Sequence, residues 1–464
     1  MSLRTDICVR IPGMSRLFKT LDYEATLDTS VRLGDCLPPS HLARFVVDIV
    51  EQLDLKSLYA TYGKRGGAPY APKMMIALLF YAYATGVFSS RKIEQATRET
   101  AAFRFLAGNY APDHDTIAAF RKQFLPKLQD LFIQILLLTQ QMGLLQLGNI
   151  SLDGTKIHAD ASKSKAVSYK RLLEIEALLL AEVQQLFALA EQADSALPEG
   201  MDLPQELARR EDRLKRLAEA RAVLEARAAE RHVLQQAEYE AKMAERADKE
   251  EQTGKKPRGK PPTPPSSAPQ DGDQYNFTDP DSRIMKNSRD GGFSQQYNGQ
   301  IAVDYDSRLV VGFSLSNHAN DQHEVAPTLS NIPPALGKVQ AASLDTGYFS
   351  QSNVAMLEDA EIEPYIATGR DPHHQGFRAY FAEAGEPPAE EASPKEKMAY
   401  KLRTAVGKAI YRLRKCTVEP VFGIIKEAMG FRQFSLRGQQ NVTGEWCLVC
   451  LAYNLRRLHV LQVG

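Results

Sequence analysis

The chain has 464 residues, 44% hydrophobic and 25% charged, values that exclude a wholly disordered or fibrous protein and leave room for two to four domains of about 100–200 residues. Its 57 basic and 57 acidic side chains cancel, which taken alone argues against a nucleic-acid binder; yet residues 395–464 hold 13 basic against 4 acidic groups, and such segregation allows a phosphate-binding face on a neutral protein. The apolar runs 74–88 and 131–145 fall short of the ~20 residues of a membrane span, five scattered cysteines make no disulfide framework, and no apolar stretch follows the first basic residues, so a soluble, reduced, cytoplasmic protein is expected.

After an N-terminal arm (1–39), Leu42, Phe45, Val46, Ile49, Val50 and Leu53 recur at helical spacing and open an all-α segment, 40–145. Pro72 suits the first turn of a second helix through 74–83. Asp113 or Asp115 would cap a helix near Thr116 that shows Arg121 and Lys122. Helix, short turn and capped helix make a candidate helix-turn-helix DNA reader, with a plain helical bundle as the alternative. The pattern changes at Ile150–Gly154, a strand ending on an acid and a glycine. Stretches 169–193 and 204–249, broken by Pro198 and Gly200, predict an inserted helical hairpin over 169–250 with Leu214, Leu217, Leu224 and Leu234 on its stripe. A flexible Pro/Lys-rich linker follows, 251–274. Strand signals return at 295–304 and 309–315, then a helix from about Asp321, a strand at 341–344, a helix at 350–358 and a strand at 364–368. Residues 377–396 read as an acidic loop, and 397–430 and 440–460 as helices. The α/β part therefore comprises 146–168 and 275–464.

Three acids stand out by position. Asp153 ends the first strand, Asp345 ends a later one, and Glu419 lies on a helix. Strand ends and an adjoining helix are places where distant acids converge. Converged carboxylates repel unless cations neutralise them, and oxygen-only ligands favour Mg²⁺ or Mn²⁺. Two such ions about 4 Å apart could serve a phosphodiester displacement. Taken singly, an Asp before a Gly reads as a turn residue. Among the other polar clusters, Asp279, Asp281, Ser282 and Arg283 could guide DNA or close a turn. Asp321 could approach metals but is expected to cap the next helix, and His158 and Asp160 could line the site or a surface loop. His373 and His374 lack Cys/His partners for zinc, Cys447 and Cys450 sit in an apolar helix, and Arg65–Gly67 is too short for a phosphate loop.

Together, DGTKIHADAS (153–162), FTDPDSRIMK (277–286), YNGQIAVD (297–304), LDTGYFS (344–350), TVEPVFGIIKEAMGFRQFSLRG (417–438) and AYNLRRL (452–458) resemble the DDE transposases of bacterial insertion sequences, in the group named after insertion sequence five. The resemblance implies an α/β ribonuclease-H-like core, a mixed sheet flanked by helices, beside an all-α DNA-binding N-terminal domain. It implies Asp153, Asp345 and Glu419 as a catalytic, metal-binding triad for two Mg²⁺ or Mn²⁺ ions. It further implies double-stranded DNA as partner (terminal inverted repeats and target), metal-dependent cleavage and strand transfer, and a homo-oligomer, at least a dimer on DNA, to which the hairpin could contribute. The family's third motif, Tyr-x2-Arg-x3-Glu-x6-Lys, is kept at Glu419 and Lys426, but Lys415 stands in the Arg place, Arg414 lies beside it and Tyr411 is one residue early. Glu419 and Lys426, two helical turns apart, should share a face. Lys426, Lys415, Arg414 and Arg432 are candidates for phosphate contacts, with Arg121, Lys122 and Arg283 as further DNA-binding candidates. A catalytically silent DNA-binding scaffold, or a nuclease on the same core without strand transfer, remain alternatives at this level.

Overall fold

The computed structural model describes residues 8–10, 17–19, 32–62, 69–192, 203–254, 259–287, 291–369, 385–389 and 391–463. The Arg65–Gly67 segment, the hairpin break at Pro198 and Gly200, and His373–His374 lie outside the described residues. A small antiparallel pair, β1 (Cys8–Arg10) and β2 (Leu17–Lys19), precedes the helices. These are α1 (Leu42–Glu51), α2 (Lys56–Tyr59), α3 (Pro72–Ala84), α4 (Ser90–Glu99), α5 (Ala101–Leu106), α6 (His114–Phe124) and α7 (Leu128–Gln141). Pro72 stands in the first turn of α3. Asp113 is the N-cap of α6, its carboxylate accepting from Thr116 N at 2.7 Å, as its side-chain chemistry dictates.

The chain then enters β3 (Asn149–His158) and the short β4 (Ala166–Ser168), and leaves the sheet for α8 (Tyr169–Gln192) and α9 (Leu203–Thr253). Ion pairs Arg210–Glu182 at 3.0 Å and Arg221–Glu176 at 3.3 Å run in opposite chain directions, so the two helices are antiparallel. They enclose their own small core of Val167, Leu172, Leu179, Leu217, Ala220 and Leu224; Leu234 of the expected stripe is exposed. Arg231 holds Asp273 through two bonds of 2.9 and 2.8 Å, and Arg227 donates to Pro280 O at 2.8 Å. These bidentate and backbone contacts tie the hairpin base to the sheet domain.

The remaining strands are β5 (Gln274–Asn276), β6 (Arg283–Lys286), β7 (Phe293–Asp304), β8 (Val310–Ser316), β9 (Ala341–Leu344) and β10 (Glu363–Ile366). The remaining helices are α10 (Val325–Ser330), α11 (Gln351–Asp359), α12 (Pro394–Arg403), α13 (Ala405–Gly423) and α14 (Gln439–Val463). The mixed sheet runs β10-β9-β3-β7-β6, with β8 also on β7. β3 is antiparallel to β7 and parallel to β9, and β9 is parallel to β10. Taking β3, β7, β8, β9 and β10 as first to fifth, the order across the sheet is 3-2-1-4-5.

One hydrophobic core runs through the N-terminal helices and the sheet domain. Met75–Ala84 of α3 are buried in it beside α14, whose Glu445–Leu455 are all buried. A Cβ on Gly299 would lie 2.9 Å from the Trp446 ring, so the glycine lets α14 lie directly on β7. The N-terminus of α14 receives two carboxylates, Asp279 accepting from Gly438 N at 3.2 Å and Asp281 from Gln439 N at 3.0 Å, the favourable sign for that end of a helix. The Asp279–Arg283 cluster thus closes a turn and caps a helix. Cys447 and Cys450 are core residues of α14, their thiols pushed up by burial. Among the described residues no helix is long and apolar enough to cross a membrane.

A buried polar chain also joins the two parts. Arg121 donates to the Tyr83 hydroxyl at 3.0 Å and to Phe88 O at 2.9 Å; Tyr83 donates to Glu445 at 2.8 Å; Ser435 N and Leu436 N donate to the other Glu445 oxygen at 2.9 and 3.0 Å. The expected DNA-facing Arg121 is therefore an internal residue. Ile117, Phe120 and Phe124 of α6 point inward with it, while Lys122 is exposed.

Candidate active site

β3 and β9 run parallel with Leu152 opposite Leu344. Asp153, the next residue of β3, and Asp345, the first residue past β9, therefore lie side by side, about 5 Å apart between strand axes; β3 does not end at Asp153, as expected, but runs on to His158 because it stays paired with β7. There the strands part. β3 continues along β7, whereas Asp345 turns the chain into a one-turn 3₁₀ helix, Thr346–Tyr348, accepting from Thr346 N at 2.8 Å. Asp153 accepts from Gly154 N at 2.8 Å.

α13 crosses this parting and contributes Arg414 and Glu419. The Arg414 guanidinium reaches all three acids: Nη1 lies 3.0 Å from Asp153 Oδ2, and Nη2 lies 3.8 Å from both Asp345 Oδ1 and Glu419 Oε1. Its side chain is 8% exposed, against 22% for Asp153 and about half for the other two acids. Tyr411, one turn earlier, places its ring 5.8 Å from the guanidinium, within reach of a cation–π contact. Residues widely separated in sequence thus share one positive partner.

Burial is the largest influence on Asp153 and raises its carboxyl to about 6, beyond what the Arg414 charge and the Gly154 amide offset, with Asp345 and Asp321 adding repulsion. A carboxylate so placed gains from any further cation. Among the described residues no three His, Cys, Asp or Glu side chains form a ready metal cage. The donor set nonetheless fits hard divalent ions: three carboxylates, no sulfur or imidazole, two of them half exposed.

Several expected DNA contacts have other partners here. Arg414 faces the acids. Arg283 gives Nη1 to the carbonyls of Pro280, Asp281 and Ser282 at 2.8, 3.0 and 2.9 Å, and burial lowers it to about 10, so it fastens a turn. Lys426, on a π-helical turn after α13, bonds the Thr155 hydroxyl and Lys156 O on β3, pinning that turn two residues from Asp153. Lys415, Arg432 and Lys122 are exposed, Arg432 pairing with Glu427. His158 bonds the 432–434 segment through its backbone, and Asp160 pairs with Arg437 at 2.8 Å.

Asp321 is not a helix cap. α10 starts later, at Val325, and Asp321 Oδ1 instead accepts from Asn298 at 2.6 Å, Gln300 at 2.9 Å and Lys156 at 3.3 Å. The signal was present in the alternation of β3 and β7. Lys156, Asn298 and Gln300 fall on one face of the sheet, and buried polar groups require partners. A second feature that periodicity could have revealed is on α4, where Arg91, Lys92, Gln95 and Arg98 are exposed while Ile93 and Thr97 are buried.

Two family models match the chain: Transposase domain (DUF772) over residues 31–123, and Transposase DDE domain over residues 265–455. The second contains Asp345 and Glu419; β3 with Asp153 lies between the matched segments. No curated protein and no solved structure matches the chain.

Proposed function

The chain belongs to the DDE transposases of insertion sequences, and from that premise we propose that it cuts DNA at the terminal inverted repeats of its own element and joins the freed 3′ hydroxyl to target DNA. The observation that carries this reading is the single guanidinium shared by Asp153, Asp345 and Glu419. The 3-2-1-4-5 strand order, with one reversed strand, supports a ribonuclease-H-like core beneath it.

Asp153 and Asp345 would together hold the divalent ions, with Glu419 completing the set from α13. Two Mg²⁺ or Mn²⁺ ions held there would supply activation of the attacking oxygen and stabilisation of the departing one. Arg414 draws the three carboxylates toward one point by cancelling part of their repulsion. Lys426 holds the turn after α13 against β3, and Tyr411 lies beside the Arg414 guanidinium. Exposed Lys415 and Arg432 would then contact phosphates, which orient the duplex without reading its sequence. Joining two ends requires at least a dimer on DNA.

For end recognition, the exposed basic face of α4 replaces Arg121 as the candidate surface. Arg91→Ala combined with Lys92→Ala should weaken end binding and lower the slope of log affinity against log salt by about 2, with the cleavage rate at saturating DNA unchanged. A salt slope equal to wild type would take α4 off the DNA.

The activity itself is tested with Mg²⁺, a fragment carrying both inverted repeats that flank the coding region, and a target plasmid. Joined products sensitive to Asp345→Asn are expected. Cleavage without joining would reduce the protein to a nuclease, and end binding without cleavage to a scaffold.

A further inference from the structure

Behind the three acids, on the opposite face of β3, lies a polar relay that the proposed chemistry does not use. Gly154 pairs with Gln300 across β3 and β7, and a Cβ at Gly154 would collide with the Gln300 amide and stand 3.0 Å from Asp321 Oδ1. Only glycine lets that amide lie against the strand at the residue next to Asp153. Gln300 is fully buried; its nitrogen donates to Asp321 Oδ1 at 2.9 Å and its oxygen accepts from the Tyr348 hydroxyl. Tyr348, itself 1% exposed, ends the single 3₁₀ turn that Asp345 begins, and its N–H donates to Asp345 O at 3.1 Å. Asn353 grips the carbonyl of the same tyrosine at 2.7 Å.

The two ends of an amide differ, so the relay has a direction. Turning the Gln300 amide over would set its oxygen against the Asp321 carboxylate, an unfavourable acceptor–acceptor contact. Asp321, fixed in turn by Asn298 and Lys156, thereby dictates that Gln300 offers an acceptor to Tyr348. We propose that Gln300 and Asp321 are positioning residues for Asp345, acting through Tyr348 to fix the turn that sets this carboxylate beside Asp153 where β3 and β9 part. The inference rests on the reading of Asp345 as a metal ligand. It explains why a sheet interior spends three neighbouring positions on Lys156, Asn298 and Gln300.

Tyr348→Phe keeps the ring and its packing and removes only the donor; Asp321→Asn keeps the size and removes the charge that orders the amide. Mn²⁺ binding to the DNA-free protein, read from the loss of the free-ion electron paramagnetic resonance signal, is measured beside end-DNA binding and the urea midpoint. The expected result for Tyr348→Phe is roughly tenfold weaker Mn²⁺ binding, with DNA binding and urea midpoint near wild type and cleavage restored by raising Mn²⁺. Asp321→Asn should move the same way, and decides the matter if Tyr348→Phe does not fold. Wild-type Mn²⁺ affinity in both variants overturns the proposal. So does a loss that follows a fall in the urea midpoint and is not recovered with Mn²⁺, since that marks general loosening. Asp345→Asn is the control: if it binds Mn²⁺ like wild type, the metal reading itself fails, whatever the relay does.

Discussion

Asp153→Asn should abolish cleavage, by at least about a thousandfold, and at the same time make the metal-free protein more stable at pH 7.5. The loss follows from removing a charged ligand of the proposed metal site while leaving DNA contacts in place, so end binding should persist. The gain follows from the Asp153 carboxyl being raised to about 6 from an ordinary 3.8, mainly by burial. A group raised in the folded state favours folding in its protonated form, so its contribution is complete below about pH 4 and is lost as pH rises through about 6. At pH 7.5 the wild type carries an ionised, largely buried carboxylate, whereas asparagine is neutral throughout. A shift of this size corresponds to about 3 kcal/mol, and the partial exposure of the side chain brings the expected difference nearer about 2 kcal/mol. Urea unfolding in chelator should therefore show the variant ahead at pH 7.5 and level with wild type near pH 4. Adding Mn²⁺ should raise the wild-type midpoint and leave the variant's unmoved, because only the site that binds the ion gains from it. Equal midpoints at pH 7.5, or retained cleavage, would remove Asp153 from its assigned place.

The second large effect is expected far from the acids. Glu445→Ala deletes the acceptor for the Tyr83 hydroxyl and for the N–H groups of Ser435 and Leu436, and removes the buried counter-charge of Arg121. Removing one partner of a buried charged network typically costs about 3–5 kcal/mol, a large part of the 5–15 kcal/mol that holds a domain folded. The chain has a single tryptophan, Trp446, packed on Gly299, so its fluorescence follows the contact of α14 with the sheet while far-ultraviolet circular dichroism follows the helices. Both transitions should move to lower urea together. A shift below about 0.5 kcal/mol would show that the network contributes little.

Asp345 follows a strand end, as expected, whereas Asp153, expected at the end of its strand, lies midway along β3. Each follows a buried apolar residue, Leu152 or Leu344, and the parallel register of β3 and β9, which the sequence does not reveal, makes them neighbours. The strands at 295–304, 309–315 and 341–344 were legible, and the structure gives Phe293–Asp304, Val310–Ser316 and Ala341–Leu344. What stayed hidden was which way charged side chains turn on a helix. Arg414 and Lys415 are adjacent in sequence, and only the packing of α13 on the sheet decides that Arg414 points at the acids while Lys415 stays exposed. Arg121 was misread likewise, because a basic residue between Phe120 and Phe124 can either face solvent or satisfy a buried tyrosine. Asp321 was misread through a boundary error of four residues, since a helix beginning at Val325 has no use for a cap at 321.

The continuous core of α3, α14 and the sheet bears on what a truncated chain would leave exposed. A product missing the front 140 residues would bare the flank of α14 that α3 covers, and a product ending before α14 would bare α3 instead. Neither remnant would keep a closed interior, so each is expected to lose the cooperative unfolding transition of the full chain and to expose apolar surface instead of folding as a separate domain.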